Sequence, residues 1–268
     1  MSVKAVLFDL DDTLLWDDRS VSEAFKQTCT IAAEAAGVSE EELEAAVRRE
    51  ARALYETYET FPFTQMIGIN PFEALWGKFE RGDHPMFRKL QQLAPEYRVQ
   101  AWTKGLAALG VDHPELGEKL AEAFPALRRQ LKYVYDETFS VLDELKKKYK
   151  LLLLTNGSPD LQQEKLDGMP DLIPYFDSIV ISGNFGEGKP SSNLFAHAME
   201  QIGISPEEGI MVGDKLTTDI LGANRIGMVS VWINRHDAKR SDEIVPAYEI
   251  ASLTELYDLL NQLNESVS

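Results

Sequence analysis

The sequence predicts an α/β protein: a doubly wound parallel sheet with an all-helical domain inserted into it. Short, uniformly apolar runs at 151–154, 179–181, 210–212 and 229–233 have the length and composition of buried parallel strands. Helical patterns at 193–202 and 216–225 lie between them, giving the βαβ alternation that closes with right-handed crossovers. A further run of the same kind, 3–8, is cut off from its siblings by residues 20–133, which read as almost wholly helical. An insertion after the first strand is the economical account of that separation.

Taken in order, the strand at 3–8 comes first and ends in carboxylates. In the helical block, apolar residues recur at three- and four-residue spacing, as in Leu43, Val47, Ala51 and Leu54. Ser39 with Glu42 three positions later, and Asn70 before Pro71, mark helix starts. Asp83-His84-Pro85 and Asp112-His113-Pro114 invite a metal reading. An Asp cap followed by proline in the first helical turn is the simpler one. Tyr55, Tyr58, Phe61, Phe63, Phe72, Trp76 and Phe79 read as the core of this block. Arg48, Arg49, Arg52, Lys104, Arg128 and Arg129 read as solvated helix faces. From Thr138 onward strands alternate with helices. The expected division is 1–17 and 135–268 for the α/β core and 18–134 for the helical domain, with residues 264–268 fraying.

Composition narrows the function classes. The 268 residues carry 27 Lys and Arg against 44 Asp and Glu, a net charge of −17. A surface of that sign repels nucleic acid and anionic lipid, so neither is an expected partner. An anionic small molecule would need a locally positive pocket built from a cation, a lysine or backbone N–H groups. The single cysteine, Cys29, excludes an intramolecular disulfide, which fits the reducing cytoplasm, and it reads as a small core residue. The first eight residues are too short an apolar start for a signal peptide, and no apolar run reaches the length of a membrane span.

Four strand ends carry chemistry. Phe8-Asp9-Leu10-Asp11-Asp12-Thr13-Leu14 places three carboxylates where ligands bind in open α/β sheets. Asp9 and Asp11 are two apart and so face one side of an extended chain, a costly arrangement unless a hard cation or a proton intervenes. A second strand ends in Thr155-Asn156-Gly157, a hydroxyl and backbone N–H groups suited to phosphate oxygens, with glycine permitting close approach. In Gly186-Glu187-Gly188-Lys189-Pro190, Lys189 precedes a helix opened by Ser191 or Ser192 and can balance phosphate and carboxylate charge. Gly183, Gly188 and Lys189 also match the start of a P-loop. Pro190 then supplies neither the hydroxyl nor the N–H that such a loop requires. The fourth strand ends in Gly213-Asp214, with Asp219 five residues on, where Thr217, Thr218 or Asp219 is a candidate helix cap.

In this order the four motifs closely resemble the haloacid dehalogenase (HAD) superfamily of phosphohydrolases. Its pattern is Asp-x-Asp-x-Thr, a strand ending in Thr or Ser, a Lys, then Gly-Asp with a further Asp. The resemblance implies a Rossmann-like core with a helical cap inserted after the first motif. It implies that Asp9 is the nucleophile and Asp11 the acid and base, and that Thr155, Asn156, Gly157 and Lys189 hold phosphoryl oxygens. It implies Mg²⁺ on Asp9, Asp11 (through its carbonyl) and Asp214, with Asp219 nearby, and a flap near Trp16 to Arg19. An acidic residue at Asp11 favours phosphoryl transfer over dehalogenation, because halide leaves without a proton. Lys215 stands where many relatives have Ser or Asn.

The implied activity is Mg²⁺-dependent hydrolysis of a small phosphorylated metabolite through an aspartyl-phosphate, by a monomer or homodimer. The segments 58–63 and 67–73 are similar to phosphoserine-phosphatase-like members, which makes phosphoserine the leading substrate. The alternatives are a phosphomutase acting on sugar phosphates, a nucleotidase, and a catalytically silent binding protein on the same scaffold.

Overall fold

Six parallel strands form one sheet in the order β3-β2-β1-β4-β5-β6 in the computed structural model, which describes residues 2–265. The strands are β1 (Ala5–Phe8), β2 (Lys150–Thr155), β3 (Ser178–Ile181), β4 (Gly209–Gly213), β5 (Val229–Ile233) and β6 (Tyr248–Ile250). Residues alternate between the two faces. Val6, Phe8, Leu151, Leu153, Ile210 and Val212 pack on one side, and Ala5, Leu7, Leu152, Leu154 and Met211 on the other. Both faces are buried, which is why these strands read as continuous apolar runs. Phe8 pairs with Leu153 on one side and Val212 on the other, so the end of the central strand lies beside the last residues of its two neighbours. The chain leaves β1 toward β2 on one flank, while β4 lies on the other. This topological switch point opens the crevice beyond the strand ends.

The chain forms two compact units, residues 1–16, 134–157 and 162–268 in one, and 17–133 with 158–161 in the other. The second unit holds α1 (Asp17–Ala36), α2 (Glu40–Tyr55), α3 (Phe61–Ile67), α4 (Pro71–Ala74), α5 (Pro85–Ala108) and α6 (Pro114–Gln130). Its core gathers Phe25, Cys29, Tyr55, Phe63, Trp76, Phe79, Tyr97, Trp102 and Phe124, with Tyr58, Phe61 and Phe72 packed against it. Ser39 caps α2, and Asn70 forms a capping box with Glu73 on α4. The helices of the first unit are α7 (Thr138–Leu145), α8 (Pro159–Asp167, whose first residues belong to the other unit), α9 (Ser182–Phe185), α10 (Ser192–Ile202), α11 (Leu221–Arg225) and α12 (Leu256–Glu265). No helix of the described residues is long and apolar enough to cross a membrane.

Local expectations are corrected in four places. The caps of α5 and α6 are His84 and His113, not the preceding aspartates. Each ring Nδ1 accepts a backbone N–H, from Met86 and Leu116 respectively, both at 3.3 Å. Arg128 is buried rather than solvated, ion-paired to Asp17 with its guanidinium 4.7 Å from the centre of the Trp76 ring. The segment after Asp214 is a π-helical turn, Leu216–Ile220, with no side-chain cap at its start. Asn264 does not fray: it accepts the Val3 N–H at 2.9 Å within α12, while residues 266–268 lie outside the described residues.

Candidate active site

The adjacent strand ends and the loops that follow them bring the four motifs together. Asp9 directly follows β1 and donates its N–H to Val212 at 3.0 Å, which ties it to the neighbouring strand. Lys189 arrives from the loop after α9 and is clamped there by Asn156. Asn156 Oδ1 accepts the Lys189 N–H at 2.8 Å, and Nδ2 donates to the Lys189 carbonyl at 3.0 Å. The Lys189 ammonium then reaches Asp9 Oδ1 at 2.5 Å, the Leu154 carbonyl at 2.7 Å and Asp219 Oδ1 at 2.8 Å. Thr13 donates to Asp9 Oδ2 at 3.4 Å. Asp9, Lys189 and Asp219 are all buried.

Asp219 approaches so closely that Gly213 must be glycine: a Cβ there would lie 2.3 Å from the Asp219 carboxylate. Its Oδ2 accepts the Lys215 N–H at 3.0 Å, and the Lys215 side chain is exposed. The Asp214 carbonyl accepts the Trp232 indole N–H at 2.7 Å. Asp9, Asp214 and Asp219 each offer a carboxylate oxygen within 4.8 Å of the others.

Three carboxylates against one lysine leave the cluster short of positive charge. Burial pushes the Asp9 carboxyl up to about 6, with the Asp219 charge adding to the effect and Lys189 opposing it. Burial and the Asp9 and Asp219 charges hold Asp214 well above the usual carboxylate range. Burial disfavours the Lys189 ammonium, but Asp219 and Asp9 outweigh it and keep the group charged. Oxygen donors, net negative charge and burial fit a hard divalent cation.

One expectation for the second motif changes and one is narrowed. The Asn156 side-chain amide holds the main chain of Lys189, which limits that residue's expected part in phosphate binding to its backbone N–H. The Gly157 N–H goes to Ser182 Oγ at 2.9 Å. Gly157 is required instead by its φ of +144° and by Gln162, whose Cγ would lie 2.9 Å from an added Cβ. Thr155 remains at the strand end, buried, with its hydroxyl at the site. The P-loop coincidence builds no cradle: residues 182–185 form a helical turn, and the Lys189 N–H is already bonded.

Sequence reading missed Gln162 and Lys165 on α8. Gln162 Nε2 donates to Asp11 Oδ2 at 3.0 Å and to Thr155 Oγ1 at 2.6 Å, and Lys165 Nζ donates to Asp11 Oδ2 at 2.8 Å. Their one available signal was a three-residue spacing on the helix that follows the second motif. Near the first motif, Trp16 stacks on Tyr135 with ring centres 5.3 Å apart, and Arg235 lies over the other ring partner, 3.6 Å from the Tyr135 centre.

The carboxylate–lysine cluster lies beyond the carboxyl ends of the strands, where open α/β sheets bind their ligands. The family model for haloacid dehalogenase-like hydrolases matches residues 3–227. The chain is 36% identical to a phosphoserine phosphatase of Thermus thermophilus over 95% of this chain and 98% of that protein. It is 36% identical to the N-acylneuraminate-9-phosphatase of Mus musculus over 65% of this chain and 71% of the relative. Among solved structures, the magnesium-bound HAD-hydrolase YfnB of Bacillus subtilis shares the fold, with a TM-score of 0.65 at 24% identity, covering 97% of this chain and all of that one. The chain belongs to the haloacid dehalogenase-like hydrolase family, and it is a phosphatase of that family.

Proposed function

We propose that the chain is a Mg²⁺-dependent phosphomonoester hydrolase that works through a phosphorylated Asp9, with phosphoserine as its first candidate substrate. The observation that carries this reading is the Lys189 ammonium held between Asp9 and Asp219 at the meeting point of the strand ends. Asp9 attacks phosphorus, the bond from phosphorus to the ester oxygen breaks, and Asp11 gives its proton to the departing oxygen. Water then attacks the phosphoryl group on Asp9 and returns a proton to Asp11, releasing inorganic phosphate. Lys189 and the Thr155 hydroxyl offset charge on the transferring group, and they are fixed in place before the substrate arrives.

Asp9, Asp214 and the Asp11 carbonyl would hold Mg²⁺, which supplies charge neutralisation for the meeting of a carboxylate with an anionic substrate. Asp219 serves chiefly to seat Lys189, given its contacts. The proposed substrate rests on the relative that matches along nearly its whole length. The second relative is an N-acylneuraminate-9-phosphatase, so other small phosphomonoesters belong in any assay.

The test is phosphate release from phosphoserine, sugar phosphates, nucleoside monophosphates and an aryl phosphate, with Mg²⁺, with EDTA and with Asp9→Asn. Metal-dependent release that vanishes in Asp9→Asn is the expected result. Absence of free phosphate with every compound overturns the hydrolase reading, and transfer of phosphate between positions of one substrate identifies a mutase instead.

A further inference from the structure

Burying an amide and an ammonium costs free energy unless each is bonded, and α8 buries one of each a single turn apart. Gln162 is fully buried and the Lys165 side chain is 3% exposed. Both turn toward the ends of β1 and β2, where leucines would fill the same space at lower cost.

The hydrogen-bond inventory shows what these groups accomplish. Gln162 Nε2 carries two hydrogens and meets two acceptors, Asp11 Oδ2 and Thr155 Oγ1. The amide cannot be reversed, since Oε1 would then face the Asp11 carboxylate. In the present orientation Oε1 is buried with no hydrogen-bond partner among the described residues. Gly157 leaves room for this side chain, as its missing Cβ requires. Thr155 Oγ1 accepts from Gln162, so its own proton is the one group it has to donate; that proton now meets the Asn156 carbonyl at 3.5 Å, a long bond that a phosphoryl oxygen can replace. Asp11 Oδ2 takes donors from both Gln162 and Lys165, so a proton carried by Asp11 belongs on its other oxygen.

We propose that Gln162 and Lys165 are positioning residues for phosphoryl transfer. Gln162 locks Asp11 and Thr155 into one frame, and Lys165 fixes the direction from which Asp11 delivers its proton. This inference rests on the reading of Asp11 as acid and base. Neither residue touches the transferring group; each acts through a neighbour that does.

The leaving group separates this role from general damage. An alkyl phosphate such as phosphoserine needs a proton on its departing oxygen, whereas p-nitrophenyl phosphate does not. The value of kcat/KM reports the step in which the ester breaks, so it is measured for both esters in wild type, Asp11→Asn, Gln162→Leu, Gln162→Glu, Lys165→Met and Lys165→Arg. Inhibition by orthovanadate is measured alongside.

Lys165→Met is expected to lower kcat/KM for the alkyl ester by about 10²-fold, the usual worth of a positioned acid. The aryl ester and orthovanadate affinity should stay nearly unchanged, and Lys165→Arg should recover part of the loss. Gln162→Leu is expected to lower the alkyl value similarly and also to weaken orthovanadate, because Thr155 loses its anchor. Gln162→Glu keeps the shape but removes the donor, so it should behave as Gln162→Leu does even if the leucine variant folds poorly. Equal losses on the two esters, or no loss, in variants with wild-type melting curves overturn the inference while leaving the phosphatase reading intact. A wild type silent on every ester overturns that reading and the inference with it.

Discussion

Lys189 Nζ lies 2.8 Å from Asp219 Oδ1, and the two side chains are only 2% and 1% exposed. Few places in the protein are so dependent on one charge, because Asp9 Oδ1 is also 2.5 Å from the same ammonium. Removing one member of a buried ionic cluster leaves the others uncompensated. Lys189→Met is therefore expected to cost about 3–5 kcal/mol of stability in urea titrations and to abolish turnover. Adding Asp219→Asn to Lys189→Met should restore much of the stability and none of the activity. A double variant no more stable than the single one would contradict the coupling.

Metal binding should depend on pH around the Asp9 transition. The Asp9 carboxyl rises from the usual 3.8 to about 6 by burial first and the Asp219 charge second, against the pull of Lys189. The folded, metal-free protein thus keeps a proton that the unfolded chain has lost across that window, so its stability falls as pH rises through it. A cation must displace that proton. Calorimetry with Mg²⁺ in buffers of differing ionisation enthalpy should show proton release near pH 6 and tighter binding toward neutrality. A flat affinity between about pH 5 and pH 7 would refute this linkage.

Gly213 is set by Asp219 rather than by backbone conformation. Gly213→Ala places a methyl group 2.3 Å from the Asp219 carboxylate, so the carboxylate or the strand end must move. Overpacking of this kind is expected to cost about 1–3 kcal/mol in denaturant titrations. The larger effect should be on turnover, through the lost seat of Lys189. Full activity in Gly213→Ala would show that Asp219 can shift without consequence.

Glu137 and Arg235 make the acid limb of stability testable. Arg235 Nη1 donates to Glu137 Oε1 at 2.6 Å, and Nη2 donates to the Thr13 carbonyl at 3.1 Å. Burial alone would raise the Glu137 carboxyl, but the hydrogen bond and charge of Arg235 and backbone donors, Leu253 among them, hold it below its usual value. A depressed carboxyl contributes stability that is present above 4.5, its ordinary value, and is lost as pH falls through the folded one. The stability gap between wild type and Glu137→Gln, followed by thermal melts, should shrink on acidification. A gap that is constant with pH would remove the ion pair from the account.

Much of the fold was legible because buried strands and amphipathic helices write their periods into the chain. The runs at 151–154 and 210–212 became β2 and β4 with an added residue or two at the ends. The strand Tyr248–Ile250 was not legible: three residues, two of them half-buried, leave no apolar run to read. The aspartate caps before Pro85 and Pro114 failed for a local reason, since an imidazole one position later accepts the same N–H group.

Asp9, Thr155 and Asp214 could be named from the chain alone because each stands at the end of an apolar strand, where order along the sequence already implies a shared edge, and Lys189 because it sits in the loop that leads from the next strand into a helix. The roles of Asn156 and Gly157 could not, because hydrogen-bond partners 33 positions away or across a strand end decide them. Gln162 and Lys165 were unreadable for the same cause. A buried amide and a buried lysine look like surface residues in a sequence, and only packing turns them inward.

The sequence by itself determined the sheet, the helical insertion and the four chemical strand ends, since burial imposes periods of two and 3.6 residues on any chain that folds this way. Only the tertiary structure decided which donor meets which acceptor. Those pairings depend on distances between residues remote in the chain, and a buried polar group takes its partner from the space around it rather than from its neighbours in order.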